Sequence, residues 1–264
     1  MGCKICLSKT SLFASAKALN RYRINYYLCG HCGFIQTEEP YWLHEAYGEA
    51  INSTDVGLVG RNVTIAKRAK ALISLFFNSD GKFLDYGGGY GLFVRLMRDS
   101  GFNFYWYDKF SPNLFARGFE APLVNPEQYE LVTAFEVFEH LANPMDEIER
   151  MLEFSTHILF STELVPPDRP KPGQWWYYAP EHGQHISFYT LQSLPILAKK
   201  FHLNIYSNGR SFHLLTKKKI SSFVFRFVSF NKLAQIFDFI WKRKSLLEND
   251  YQEAIKTFTL DRRR

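Results

Sequence analysis

The chain has 264 residues, 46% hydrophobic and 22% charged, which excludes a disordered polymer and suffices for one full domain with appendages. Its formal net charge of +6 is unevenly spread: residues 217–264 carry twelve Lys and Arg against five Asp and Glu, so the rest is nearly neutral. The basic pI therefore does not argue for a nucleic-acid-binding main domain. The first ten residues lack a secretory apolar run and no stretch offers about 18 consecutive apolar residues, so a cytoplasmic location is expected.

All four cysteines fall in the first 32 residues, as Cys3-Lys4-Ile5-Cys6 and Cys29-Gly30-His31-Cys32. Two CxxC turns, with Gly30 and Gly33 relaxing the second, supply four thiolates to one tetrahedral zinc ion. The alternative, two disulfides, is disfavoured in a reducing compartment. Residues 1–40 therefore read as a zinc ribbon whose Zn2+ is structural, because four protein ligands leave no open position for chemistry. No thiol remains elsewhere for nucleophilic catalysis. The module carries Lys4, Lys9, Lys17, Arg21 and Arg23 against Glu38 and Glu39, which keeps an RNA-gripping role open. Residues 41–80 are expected to be a helical linker.

From Lys82 the pattern becomes a short apolar strand, a glycine-rich turn (Gly87, Gly88, Gly89, Gly91) and an amphipathic helix. A dinucleotide fingerprint would need glycine at position 92, where leucine stands. The spacing is instead D-x-G-x-G-x-G through Asp85, Gly87, Gly89 and Gly91. A second strand, Phe102 to Tyr107, ends in Asp108, where a carboxylate can accept both hydroxyls of a ribose. A third, from Tyr129, runs into Phe135-Glu136-Val137-Phe138-Glu139-His140-Leu141.

These three elements resemble class I S-adenosylmethionine-dependent methyltransferases over residues 80–216. The resemblance implies a Rossmann-like, doubly wound α/β sheet over 81–216, completed by strands at His157 to Ser161, Leu203 to Ser207 and Phe212 to Thr216. It implies S-adenosyl-L-methionine as cofactor, held by Asp85, Gly87, Gly88, Gly89, Gly91 and Asp108, with Phe135 and Glu136 near its methionine end. Glu139 and His140 are equally well read as a helix N-terminal turn.

After the proline-rich Val165–Gly173 comes Gln174-Trp175-Trp176-Tyr177-Tyr178-Ala179-Pro180-Glu181-His182-Gly183-Gln184-His185-Ile186-Ser187. At the C-terminal edge of such a sheet it should form a substrate-side lid, with Ser187 or Thr190 capping the next helix. Glu181, His182, Gln184 and His185 are the candidate catalytic groups; histidine takes a proton near neutral pH, whereas Gln184 can only hydrogen-bond. The four-cysteine module and this loop resemble nucleotide-sugar C-methyltransferases and bacterial methyltransferase-domain proteins of glycan assembly. That implies a sugar, nucleotide-sugar or other small polar acceptor. An RNA methyltransferase and a non-catalytic cofactor-binding subunit are the alternatives; RNA is disfavoured by the lack of an N-P-P-Y-type motif.

Residues 221–241 form a strongly apolar pattern with a narrow polar stripe, followed by Lys242-Arg243-Lys244. The tail, 217–264, is expected to be helical, contacting the sheet domain or a second subunit, or lying peripherally on the inner membrane face.

Overall fold

The computed structural model describes residues 1–48, 55–122, 128–230, 234 and 242–261. A four-stranded sheet contains β1 (Thr10–Ala18), β2 (Tyr22–Cys29), β3 (Ile35–Thr37) and the much later β8 (Ser187–Phe188), in the order β1-β2-β3-β8. A six-stranded sheet has the order β5-β4-β6-β7-β10-β9, from β4 (Lys82–Tyr86), β5 (Asn103–Tyr107), β6 (Leu131–Phe135), β7 (His157–Ser161), β9 (Asn204–Ser207) and β10 (Phe212–Thr216). Strands β5, β4, β6 and β7 are parallel, and β10 is antiparallel to both its neighbours. Successive connections leave β4 for opposite sides, which opens a crevice at the carboxyl end of β4 where ligands bind in such sheets.

Both faces of this sheet are covered, so its strands are apolar throughout rather than alternating. On one face α2 (Leu58–Phe76) buries Ile65, Ala66, Ala69, Leu72 and Ile73, a stripe of helical period, against Phe83, Phe93 and Phe104. The helix α3 (Leu92–Asp99) joins that layer through Phe93, Val94 and Met97. On the other face lie α4 (Pro144–Phe154), with Ile148 and Met151, and α5 (Ser193–Lys200), with Leu194 and Leu197. Thr190 and Ser193 cap α5 reciprocally: each backbone N–H donates to the other's hydroxyl, at 2.9 and 3.0 Å. A short helix, α1 (Leu43–Ala46), follows the N-terminal sheet.

The cysteine module packs on this second face, where Cys3, Ile5, Cys29, Cys32 and Phe34 share a core with Phe138, Tyr189 and Leu194. The segment expected as a substrate-side lid lines the cavity and is packed firmly against the N-terminal sheet. Tyr177 and Tyr178 are fully buried against Tyr26, Trp42 and Phe188, and β8 pairs with β3 through Ile35↔Phe188 and Gln36↔Ser187. Three backbone-directed bonds fix the segment further: Trp42 Nε1 to the Gly183 carbonyl (2.8 Å), Gln184 Nε2 to the Ala46 carbonyl (2.8 Å) and Ser187 Oγ to the Leu141 carbonyl (2.7 Å). Apolar burial of so many aromatics holds the segment in place although its prolines preclude regular structure.

Much of the expected apolar helix at 221–241 lies outside the described residues. Its described start is α6 (Ser222–Val228), which buries Phe225 and Val228 against the α2 layer and leaves Phe223 and Phe227 exposed. Beyond it, α7 (Leu247–Asp261) is tied back by a buried pair in which Arg98 Nε and Nη2 donate to Asp250 at 2.8 and 2.7 Å. Arg243 of the basic run donates to the Gly101 carbonyl at 3.1 Å and pairs with Asp80. These contacts hold the described tail on the protein. No helix among the described residues is long and apolar enough to cross a membrane.

Candidate active site

The chain leaves β4 through a loop that only glycine tolerates. Gly87, Gly89 and Gly91 have φ of +73°, +53° and +85°. A Cβ on Gly88 would stand 2.8 Å from Asp85 Oδ2 and 2.9 Å from the Trp106 ring, and one on Gly87 would stand 2.6 Å from Val137. The loop is pinned by Gly87 N and Gly88 N donating to the Tyr107 carbonyl, and by Trp106 Nε1 donating to the Gly89 carbonyl at 2.9 Å. Asp108 closes it from the end of β5. Its Oδ2 accepts from Gly89 N at 2.8 Å, and its Oδ1 accepts from the backbone N–H groups of Phe110 and Ser111, each at 2.7 Å. An ionised carboxylate has about four acceptor sites, so one remains for a ligand hydroxyl. Asp85 lies beneath the loop, where burial raises its pKa to about 7 against the opposing bond from Thr133 Oγ1 at 2.7 Å.

The same cavity, about 1100 Å³ in volume, runs from this loop and Asp108 past Phe135 and Glu136 to His140, His182 and His185. Phe135 packs edge-on to Phe93 and parallel to Phe212. Glu136 takes a left-handed backbone (φ +55°), a strained state at the strand end that Ser161 stabilises: its Oγ donates to Glu136 Oε1 at 2.6 Å and accepts from Glu136 N at 2.9 Å. Arg61 bonds Asp55 at 2.6 and 3.0 Å and stands 3.9 Å from Glu136 Oε2.

At the far end the three imidazoles form a row, with ring centroids 4.9 Å apart for His140 and His185 and 5.0 Å for His182 and His185. His185 Nδ1 lies 2.6 Å from the Tyr177 carbonyl, which can only accept, so the ring proton sits on Nδ1 and Nε2 carries the lone pair. Burial lowers the His185 pKa to about 3, so the ring is neutral at pH 7. Burial likewise depresses His140 and His182. Beneath them Glu139 is fully enclosed; burial, then the charge of Glu136, raises its pKa to about 8. Glu181 is exposed at the rim, and the Gln184 amide is held by the Ala46 carbonyl.

The four cysteine sulfurs meet at the module's inner end: Sγ atoms are 3.6 Å apart for Cys3 and Cys32, 3.4 Å for Cys6 and Cys29, and 3.6 Å for Cys6 and Cys32. All four are free thiols. Zn–S bonds of about 2.3 Å place tetrahedral sulfurs about 3.8 Å apart, so the set fits one zinc ion with slight expansion. The turns match each other: Gly33 after Cys32 has φ +72° and Leu7 after Cys6 has φ +64°, whereas Gly30 needs no left-handed backbone. Thr190 Oγ1 donates to the Cys32 carbonyl at 2.7 Å, joining this module to the residues that precede α5.

Two contributors escaped the sequence. Tyr47, in the stretch expected to be a linker, stacks on Phe110 (4.5 Å between centroids) and bonds His140 Nδ1 at 3.0 Å, bridging the two ends of the cavity. Trp42 holds the histidine segment through Gly183, where a Cβ would come within 3.2 Å of the indole. Neither belongs to a spaced motif; their only signal is two large aromatics flanking a short helix.

The model of a methyltransferase-domain family matches residues 61–208, more than half of the chain. No curated protein gives a significant match. Among solved structures, TnmH is 16% identical with a TM-score of 0.45, over 68% of this chain and 62% of its own length. The plantazolicin methyltransferase BpumL, in complex with a monoazolic desmethylPZN analog and SAH, is 11% identical with a TM-score of 0.46, over 67% of this chain and 93% of its own. Magnesium protoporphyrin IX methyltransferase from Synechocystis, with bound SAH, is 12% identical with a TM-score of 0.40, over 67% and 95%. With the glycine loop, Asp108 and the histidine row all inside the matched segment, the chain belongs to the methyltransferase-domain family, the class I S-adenosylmethionine-dependent transferases.

Proposed function

We propose that this enzyme holds S-adenosylmethionine along Asp85, Gly87–Gly91 and Asp108, and transfers its methyl group to a sugar, nucleotide-sugar or comparable small polar acceptor seated against His182 and His185. One observation carries this reading: a single cavity joins the glycine loop to the histidine row, and its volume exceeds what one small ligand usually fills. The positive φ values and the lack of room for side chains at the loop suit a ligand that approaches the backbone closely. Arg68 and Arg210 on the wall suit an acceptor bearing a phosphate or carboxylate. His185 is the orienting group, its neutral ring fixed by the Tyr177 carbonyl, and His182 is the proton acceptor where the acceptor must lose a proton. Gln184 supports the loop, and Glu181 stands at the mouth. Cys3, Cys6, Cys29 and Cys32 hold one structural zinc.

The cofactor half is tested at Asp108. Asp108→Ala removes a charge-assisted acceptor, so S-adenosylhomocysteine should bind about 1.5–3 kcal/mol more weakly, roughly ten- to a hundredfold, by calorimetry. Unchanged affinity in a normally folded variant would put the ribose elsewhere.

A further inference from the structure

We propose that Glu139, His140 and His185 form a site for one divalent first-row metal ion at the acceptor end of the cavity. Their ligand atoms all lie within 4.8 Å of one another. Ligands on opposite sides of one ion at bonds of about 2.1 Å are about 4.2 Å apart, so small side-chain rotations close the set.

The surroundings are those that metal-ligating histidines use. His185 donates Nδ1–H to the Tyr177 carbonyl, and His140 Nδ1 bonds the Tyr47 hydroxyl, so each ring is oriented through Nδ1 and keeps Nε2 for a ligand. The carboxylate supplies the second, independent observation. Glu139 has no exposed surface, and although the Tyr177 and Thr162 hydroxyls and its own backbone N–H stand close enough to favour its charge, neither oxygen accepts a well-formed hydrogen bond among the described residues. The hydroxyls beside it, Tyr177 and Thr162, bond each other at 3.2 Å. Arg61, the cation whose charge Glu139 most directly meets, has both Nη atoms on Asp55. A fully enclosed carboxyl with no cation paired to it is costly to ionise, and a divalent ion would supply the charge that ionisation needs. Two imidazoles and one carboxylate favour Mn, Fe, Co or Zn over Mg or Ca, and leave open positions toward the cavity.

The site deepens the function proposed above and rests on it for its chemistry. An acceptor hydroxyl bound to the ion loses its proton more readily. That proton passes to His182, whose Nδ1 has no partner among the described residues. The oxygen lone pair then forms the O–CH3 bond as the S–CH3 bond breaks, its electron pair staying on sulfur, giving a methyl ether and the neutral thioether.

The test is a Mn2+ titration of the full chain, its cysteine-bound zinc left in place, read by electron paramagnetic resonance; thiolates compete poorly for Mn2+. One Mn2+ per chain is expected. Glu139→Gln, which keeps the shape of the side chain, and His185→Ala should each weaken binding at least tenfold while S-adenosylhomocysteine affinity stays within about twofold. Protein that binds S-adenosylhomocysteine but takes up no Mn2+, or takes it up equally in both variants, overturns the metal site and leaves the methyltransferase reading intact. Failure to bind S-adenosylhomocysteine would count against that reading instead.

Discussion

His185→Ala is expected to lower turnover about a hundredfold or more once an acceptor is in hand, with S-adenosylhomocysteine affinity nearly unchanged. Methyl transfer from a sulfonium needs in-line approach, so most of the acceleration comes from positioning, and a misplacement of about 1 Å can cost about a hundredfold. His185 suits that task because its ring is fixed from both sides: the Tyr177 carbonyl takes Nδ1–H, and His140 and His182 pack edge-on against it. Its Nε2 keeps a lone pair that would hold the acceptor directly or through an ion. His185 belongs to a different part of the cavity lining from the glycine loop and makes no contact with Asp108 among those described, so cofactor binding should register its loss little. The check is steady-state kinetics on His185→Ala and His182→Ala. Wild-type turnover in both would make the loop's histidines structural and move the chemistry to Glu136, Glu139 or His140.

Loss of the zinc should be as severe, by a different route. Structural Zn2+ contributes on the order of 10–16 kcal/mol to the folding of small modules, and residues 1–40 have few other means to order the two CxxC turns. Here the module also carries β3, the partner of β8, and Trp42 lies directly beyond it, so the segment bearing His182 and His185 depends on the same scaffold. Metal analysis should find about one zinc per chain. Cys29→Ser should remove it and reduce turnover by at least about tenfold, while S-adenosylhomocysteine affinity falls far less because the glycine loop hangs from β4 and β5. Full turnover in zinc-free protein would show that the module is not what holds the acceptor side.

The glycine loop and Asp108 were legible because their constraints are local. A strand end, three positive φ values and an acid at the next strand end leave a spaced signature in twenty-odd residues. The row of strands through β10 was legible for the same reason: each is a short apolar run between turn residues. What stayed hidden depends on contacts between distant parts of the chain. Ser187 and Phe188 pair with residues some 150 positions earlier, and so short a strand has no period to read. Glu139 and His140 read equally well as a helix start because nothing in their neighbourhood announces His185 as their neighbour; a single 3-10 turn (Phe138–His140) turns both inward. The tail's attachment was hidden similarly: Asp250 and Arg98 are ordinary charges until burial makes them partners.

Calorimetry of S-adenosylhomocysteine binding to the purified full-length chain, with NAD as the comparison ligand, bears most directly on the central assignment. Saturable, one-to-one binding of S-adenosylhomocysteine and none of NAD is predicted, because Leu92 stands where a dinucleotide loop needs glycine. Binding of NAD with none of S-adenosylhomocysteine would contradict it.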